Sequence, residues 1–209
     1  LKKLHNAKME NLIGKQIEPY RQNLKLNENQ FFFDYLKKEI KDKRKMGHIT
    51  TLIWMITSIE GNFDHPEVNK LLTKHFIELR AASPEGSAHV LDIPGLKVPS
   101  IKFWSLWQDR NLFGCGALKF LDNEHGEFKS IRVHDNFRNK GNGIKVIEHL
   151  IDEAKKLSIK RISLETGAGK YFEPARKLFK KCNFKPCRPF AHYKEDINSI
   201  YMTKYLDNN

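Results

Sequence analysis

From Met55 to its end, the chain alternates between apolar residues spaced three to four apart and apolar residues spaced two apart. Val68, Leu71, Leu72, His75, Phe76 and Leu79 repeat at helical spacing. Asp64 reads as the N-cap of that helix, with Glu67 completing a capping box and Pro66 in the first turn. Residues 83–95 hold Pro84, Gly86, Pro94 and Gly95 and predict a loop. Residues 101–107 alternate as a strand, 108–111 turn, and 112–121 return as the second arm of a hairpin. A second turn over 122–126 leads to a third antiparallel strand over 127–133. Over 144–157, Ile144, Ile147, Ile151 and Ala154 share one helical face, with Val146 and Leu150 beside them. Residues 162–166 predict a strand, and 174–182 a short helix that Asn183 closes in the left-handed region. Two last strands are expected over 190–193 and 199–205. This order predicts an α+β fold, a mixed and mostly antiparallel sheet flanked by helices.

Residues 1–54 follow another pattern. Two strand-like runs, 30–36 and 49–54, flank the mostly charged stretch 37–45, and a short helix or strand over 7–13 precedes them. This part has too few apolar residues for a good core of its own. The chain therefore divides into a small, basic, β-rich extension over 1–54 and a domain over 55–209. Net charge is +12, and the extension holds 12 Lys/Arg against 6 Asp/Glu, so half of the excess sits in a quarter of the 209 residues. Such an excess suits a nucleic acid, a membrane surface or an anionic ligand, and equally a face of solvated lysines. No apolar run approaches the length of a membrane span, and the first eight residues lack the apolar stretch of a secretory signal. Cys115, Cys182 and Cys187 have neither metal-ligand spacing nor the even count of a disulfide framework. No metal and a reducing, cytoplasmic setting are the expectations.

The strand over 127–133 runs through Arg138-Asn139-Lys140-Gly141-Asn142-Gly143 straight into the long helix at Ile144. Free amides at a helix start, the helix dipole and two cationic side chains make an anion site. Gly141 and Gly143 admit close approach to the backbone and positive φ. A pyrophosphate is the natural guest. The nucleotide P-loop pattern is absent, and the third glycine of a dinucleotide fingerprint is missing after Gly143.

Arg-x-x-Gly-x-Gly after a meander strand and opening a helix resembles the acetyl-CoA-binding motif of the GNAT superfamily of N-acetyltransferases. The resemblance spans residues 56–206. It takes in Gly114-Cys115-Gly116-Ala117-Leu118-Lys119, Gly126-Glu127-Phe128-Lys129-Ser130, Ser163-Leu164-Glu165-Thr166-Gly167, Phe172-x-Pro174-Ala175-Arg176 and the tail from Pro189 to Lys204. It implies that acetyl-CoA is the co-substrate, with its pyrophosphate on the backbone amides of Arg138, Asn139, Lys140, Gly141, Asn142, Gly143 and Ile144. It also implies that main-chain groups of Ile131 and Val133 pair with the pantetheine arm. The strands over 127–133 and 162–166 would splay around the thioester, with Phe172 and Ala175 at the pantetheine end.

Direct attack needs a neutral amine and hence a general base. Glu127, 11 residues before Arg138, matches the catalytic glutamate of GNAT histone acetyltransferases. It could instead be a strand-edge carboxylate paired with Lys129, and Glu165 is the alternative base. The family's thiolate-protonating tyrosine belongs where Phe179 stands, so protonation would fall to Tyr193 or to water. Asn183 replaces a family glycine, a mild change because Asn tolerates positive φ. His75 reads as a buried structural histidine, Cys115 as a small core residue, and Trp104 and Trp107 as packing residues or as lining of the acceptor pocket.

Met9-Glu10-Asn11-Leu12-Ile13-Gly14, the run from Phe31 to Lys38 and Arg44-Lys45-Met46-Gly47-His48-Ile49 resemble a second family. They look like the C-terminal end of the ATP-grasp enzyme N5-carboxyaminoimidazole ribonucleotide synthetase of purine biosynthesis. Without the ATP-grasp core, no carboxylase activity carries over. The opening Leu1 in place of Met fits a truncated or fused reading frame. The expected function is acetyl transfer to a primary amine of a small molecule or a protein. No membrane partner is expected, a nucleic-acid partner is disfavoured, and a homodimer is open. The competing reading, which Phe179 and the basic leader motivate, is a non-catalytic anion or nucleic-acid binder on a decayed fold of this family.

Overall fold

The computed structural model describes residues 57–108 and 111–206. The chain divides into two units, Leu1–Met55 and Ile56–Asn209. The runs expected over 7–13, 30–36, 37–45 and 49–54 lie outside the described residues.

Among the described residues seven strands form one sheet: β1 (Thr57–Glu60), β2 (Ile101–Gln108), β3 (Asn111–Phe120), β4 (His125–Val133), β5 (Arg161–Gly167), β6 (Lys185–Pro186) and β7 (Ser199–Tyr205). Their order is β1-β2-β3-β4-β5-β7-β6. The first four make an antiparallel meander, β5 joins β4 in parallel, and β7 returns antiparallel to β5. Four helices accompany them: α1 (Pro66–Ala82), α2 (Ile93–Leu96), α3 (Asn142–Lys156) and α4 (Glu173–Lys181). This is the mixed α+β architecture that the apolar periods predict.

Alternation along β3, reset by the extra residue it carries between Leu112 and Gly114, explains the two layers. Phe113 and Leu118 point to one side, where Val146, Ile147, Leu150 and Ala154 of α3 cover them. Leu112, Cys115 and Ala117 point to the other, where Val68, Leu71 and Leu72 of α1 close the second core. Each of these larger aliphatic side chains contributes roughly 1.5–3 kcal/mol by leaving water. Trp104 lies in the α3 core and Trp107 in the α1 core, so both are packing residues.

Four details differ from the sequence reading. His65, not Asp64, caps α1, because its extended backbone directly precedes the helix; its Nδ1 accepts the Glu67 N–H at 3.3 Å. Asp64 instead meets Lys97 Nζ at 3.3 Å. The loop over 83–95 runs into α2, whose cap is Asp92, accepting the Gly95 N–H at 2.8 Å. Residues 190–193 are no strand. Ala191 sits at φ 52° and the Tyr193 N–H donates to the Phe190 carbonyl at 3.0 Å, a turn whose aromatic rings pack inward. The strands β1 and β6 have no counterpart in the sequence reading.

His75 is buried on α1, and its Nδ1 has no hydrogen-bond partner. Burial, then the charge of Arg132, hold its pKa at about 4, below the ordinary 6.5. The folded state therefore refuses a proton that the unfolded chain accepts between those two values. Stability should fall by up to about 3 kcal/mol as pH drops through this window, and stay level with respect to this group above it. Urea unfolding of the wild type and His75→Gln at a series of pH values checks this. The wild type's advantage is expected to be constant above pH 6.5 and to shrink below it; a pH-independent difference would contradict the argument.

Candidate active site

Parallel pairing between β4 and β5 stops early. Only His125↔Arg161, Gly126↔Ile162 and Glu127↔Ser163 are matched, although both strands continue. Two features part them. On β4, Cys115 faces Arg132 while Ala117 faces Lys129, so β4 carries an extra residue, and Ser130 absorbs it at φ 50°. On β5, pairing with β7 continues to Gly167↔Ser199 and draws the strand away. The closed end is pinned by side chains: His125 Nε2 lies 2.7 Å from Ser163 Oγ, which lies 2.9 Å from Thr203 Oγ1. Past this point each arm offers an unpaired main-chain edge, suited to an extended ligand lying between them. Ile131 and Val133 lie on the β4 arm, as the sequence reading requires. The Val133 carbonyl already accepts from Arg138 Nε at 3.3 Å.

The β4 arm leads through a short turn (Asp135–Phe137) to the mouth of α3. Asn139 and Gly141 take φ of 59° and 74°, which curls the backbone into a concave row of amides. The Arg138 N–H is spent on the Asp135 carbonyl and the Ile144 N–H on the Gly141 carbonyl, both at 3.2 Å. Among the described residues, the amides of Asn139, Lys140, Gly141, Asn142 and Gly143 donate to no partner. The unpartnered amides are therefore the middle of the run named from sequence, and its two ends are already bonded. Asn142 braces the turn, its Nδ2 donating to the Phe137 carbonyl at 2.8 Å. The two glycines differ in role. At Gly141 a side chain would meet nothing within 4 Å, so its task is the positive φ. At Gly143 a Cβ would lie 2.5 Å from Leu178 Cδ2, so its smallness lets α4 pack against α3.

At the fork the sheet face under α1 carries the titratable groups. Glu127 is 1% exposed. Its Oε1 accepts the Tyr193 hydroxyl at 2.6 Å and meets Lys129 Nζ at 2.8 Å. Lys129 also donates to the Tyr193 oxygen at 2.5 Å and to the His89 carbonyl at 3.3 Å. The two residues named as base and acid thus touch each other, and the Glu127–Lys129 pair exists as well. Burial first, then the Glu127 charge, push the Tyr193 hydroxyl well above the ordinary phenol range. Phe190, Tyr201 and His89 box its ring at centroid distances of 5.1, 5.4 and 5.0 Å. Glu165 lies on the β5 arm and accepts the Ser199 hydroxyl at 2.7 Å; burial raises its pKa. His89 and Ser199 were absent from the sequence reading, since neither stands in a recognisable pattern.

Phe172 covers Gly167 at the tip of β5, where a Cβ would lie 2.3 Å from its ring, and Ala175 packs on the α3 core. Arg176 clamps the same tip, donating to the carbonyls of Gly167 and Gly169 at 2.6 and 2.8 Å. Phe179 is buried in the α3 core, against Phe184. Cys115 is fully buried, which pushes its thiol up to about 12. Among the described residues no His, Cys, Asp or Glu group could hold a metal ion, and no helix is long and apolar enough to cross a membrane.

Residues 66–184 match the acetyltransferase (GNAT) family, and residues 7–59 match the phosphoribosylaminoimidazole carboxylase C-terminal domain. The chain is 46% identical over 140 residues to the uncharacterised N-acetyltransferase YsnE of Bacillus subtilis, covering 67% of this chain and 93% of that protein. It is 36% identical over 155 residues to the uncharacterised N-acetyltransferase YedL of Escherichia coli, covering 74% and 98%. The fold matches the crystal structure of a GNAT family acetyltransferase from Elizabethkingia anophelis with acetyl-CoA bound, at a TM-score of 0.53 and 22% identity over 72% of this chain and 98% of that one. With its forked sheet and its row of amides at the head of α3, the chain belongs to the GNAT acetyltransferase family.

Proposed function

We propose that this acetyltransferase moves the acetyl group of acetyl-CoA to a primary amine by direct attack, and that the chemistry resides in residues 55–209. The observation that carries the reading is the continuous path from the unpartnered amides over 139–143 to the open β4 edge and on to the Glu127–Tyr193 pair. The pyrophosphate of the co-substrate fits the amides, where the α3 dipole adds to the field of Arg138 and Lys140. Its pantetheine arm fits the edge near Ile131 and Val133, once Arg138 gives up the Val133 carbonyl. Phe172 and Ala175 would flank the far side of that arm.

Proton traffic follows from the contacts. Glu127 is too buried to meet an acceptor directly, so it works through the Tyr193 hydroxyl that it holds. The amine nitrogen bonds to the thioester carbon, the carbon–sulfur bond breaks, and one proton must travel from nitrogen to sulfur. While Glu127 is ionised it holds the phenol protonated. Once the relay delivers the amine's proton to Glu127, that restraint goes and Tyr193 can give its own proton to the thiolate. Lys129 keeps both oxygens aligned.

Two outcomes are expected. Acetyl-CoA at a hundred times its Kd should stabilise the wild type by about 2.7 kcal/mol. Gly141→Val, with a β-branched residue at φ 74°, should lose most of that increment. Differential scanning fluorimetry reads it as the ligand-induced shift within each variant, and no shift in the wild type would sink the reading. In a thiol-release assay, Glu127→Gln is expected to lower kcat about 100-fold or more and Tyr193→Phe at least about tenfold, with acetyl-CoA binding retained. Wild-type turnover by Glu127→Gln would remove Glu127 from the mechanism.

A further inference from the structure

We infer that the acceptor carries a second ammonium besides the amine that is acetylated, and that Glu165 binds it, an assignment that rests on the acetyltransferase reading above. The position comes from the fork. Lys129 lies two residues past the last β4–β5 pair on one arm and Glu165 two residues past it on the other. Strand alternation puts both on the face of Glu127 and Ser163. The two side chains do not close on each other. Lys129 turns back to Glu127 at 2.8 Å, and Glu165 turns to the Ser199 hydroxyl at 2.7 Å. Glu165 has no ion pair among the described residues, although burial opposes its charge.

On this face Glu127 has Lys129 as its counter-ion, whereas Glu165 has none within ion-pair distance among the described residues. A carboxylate withdrawn from water without a counter-ion is costly, and a cation that meets it gains what the protein has left out. The attacking nitrogen cannot be that cation, because it must be neutral when it attacks. A separate positive group on the acceptor meets the requirement, as in a diamine, a polyamine or a lysine-like side chain bearing a second amine. An acceptor with its own carboxylate near the amine would instead face repulsion.

The test compares 1,4-diaminobutane with 1-aminobutane, which share length and nucleophile, in thiol release by the full chain with acetyl-CoA. The diamine is expected to show a kcat/KM at least about tenfold higher in the wild type at low salt. Glu165→Gln should erase that advantage mainly through KM, while Glu165→Asp keeps part of it and acetyl-CoA binding stays unchanged. Equal use of both amines by the wild type would overturn the proposal without any variant. So would a Glu165→Gln enzyme that loses kcat equally on both amines at unchanged KM, which would make Glu165 a base. A wild type that binds acetyl-CoA but turns over neither amine also overturns it. One that does not bind acetyl-CoA overturns the underlying reading as well.

Discussion

The parting of β4 and β5 after Glu127↔Ser163 is the constraint on which the rest depends. Paired along their full length, the two strands would satisfy each other's amides and carbonyls and leave no edge for a ligand. The bulge at Ser130 and the hold of β7 on β5 prevent this from opposite sides. The cost is a row of main-chain groups that only water or a ligand can satisfy. The turn from Val133 to Gly141 joins the open edge to the amides at the mouth of α3 in one continuous stretch of backbone.

Long periodic segments and local motifs were legible in the sequence. The apolar face of α3, the meander, β7 and the left-handed Asn183, at φ 64°, all follow from short-range pattern. Competition between neighbours was not. Asp64 and His65 are both able to cap, and only the backbone decides. The residues over 190–193 alternate like a strand, yet their rings fill space beneath the sheet instead of extending it. Gly143 looks like its neighbour Gly141 until the position of Leu178 is known.

The site divides the same way. The amide row belongs to one stretch of chain and could be read from it. The contact of Tyr193 with Glu127 joins positions 66 apart, and that of Lys129 with Tyr193 positions 64 apart, so sequence named the residues without the bond between them. That bond changes their meaning. Two residues considered separately become one hydrogen-bonded unit with a lysine as its third member.

Phe179 is where these strands of argument meet. It occupies the position at which the family's acid is expected, and by sequence alone its lack of a hydroxyl suggests decay. The structure gives another reason for it. Phe179 lies in the core between the sheet and α3, packed edge-on against Phe184 at 5.8 Å. Tyr193, in the loop that precedes β7, lies on the opposite face. A hydroxyl restored at position 179 would have to find a partner inside an apolar core. A proton supplied from the α1 face needs no such group, because the carboxylate that restrains Tyr193 is also the one the amine's proton would reach. On that geometry the aromatic at 179 is a packing residue, and the hydroxyl that Glu127 holds lies across the sheet from it.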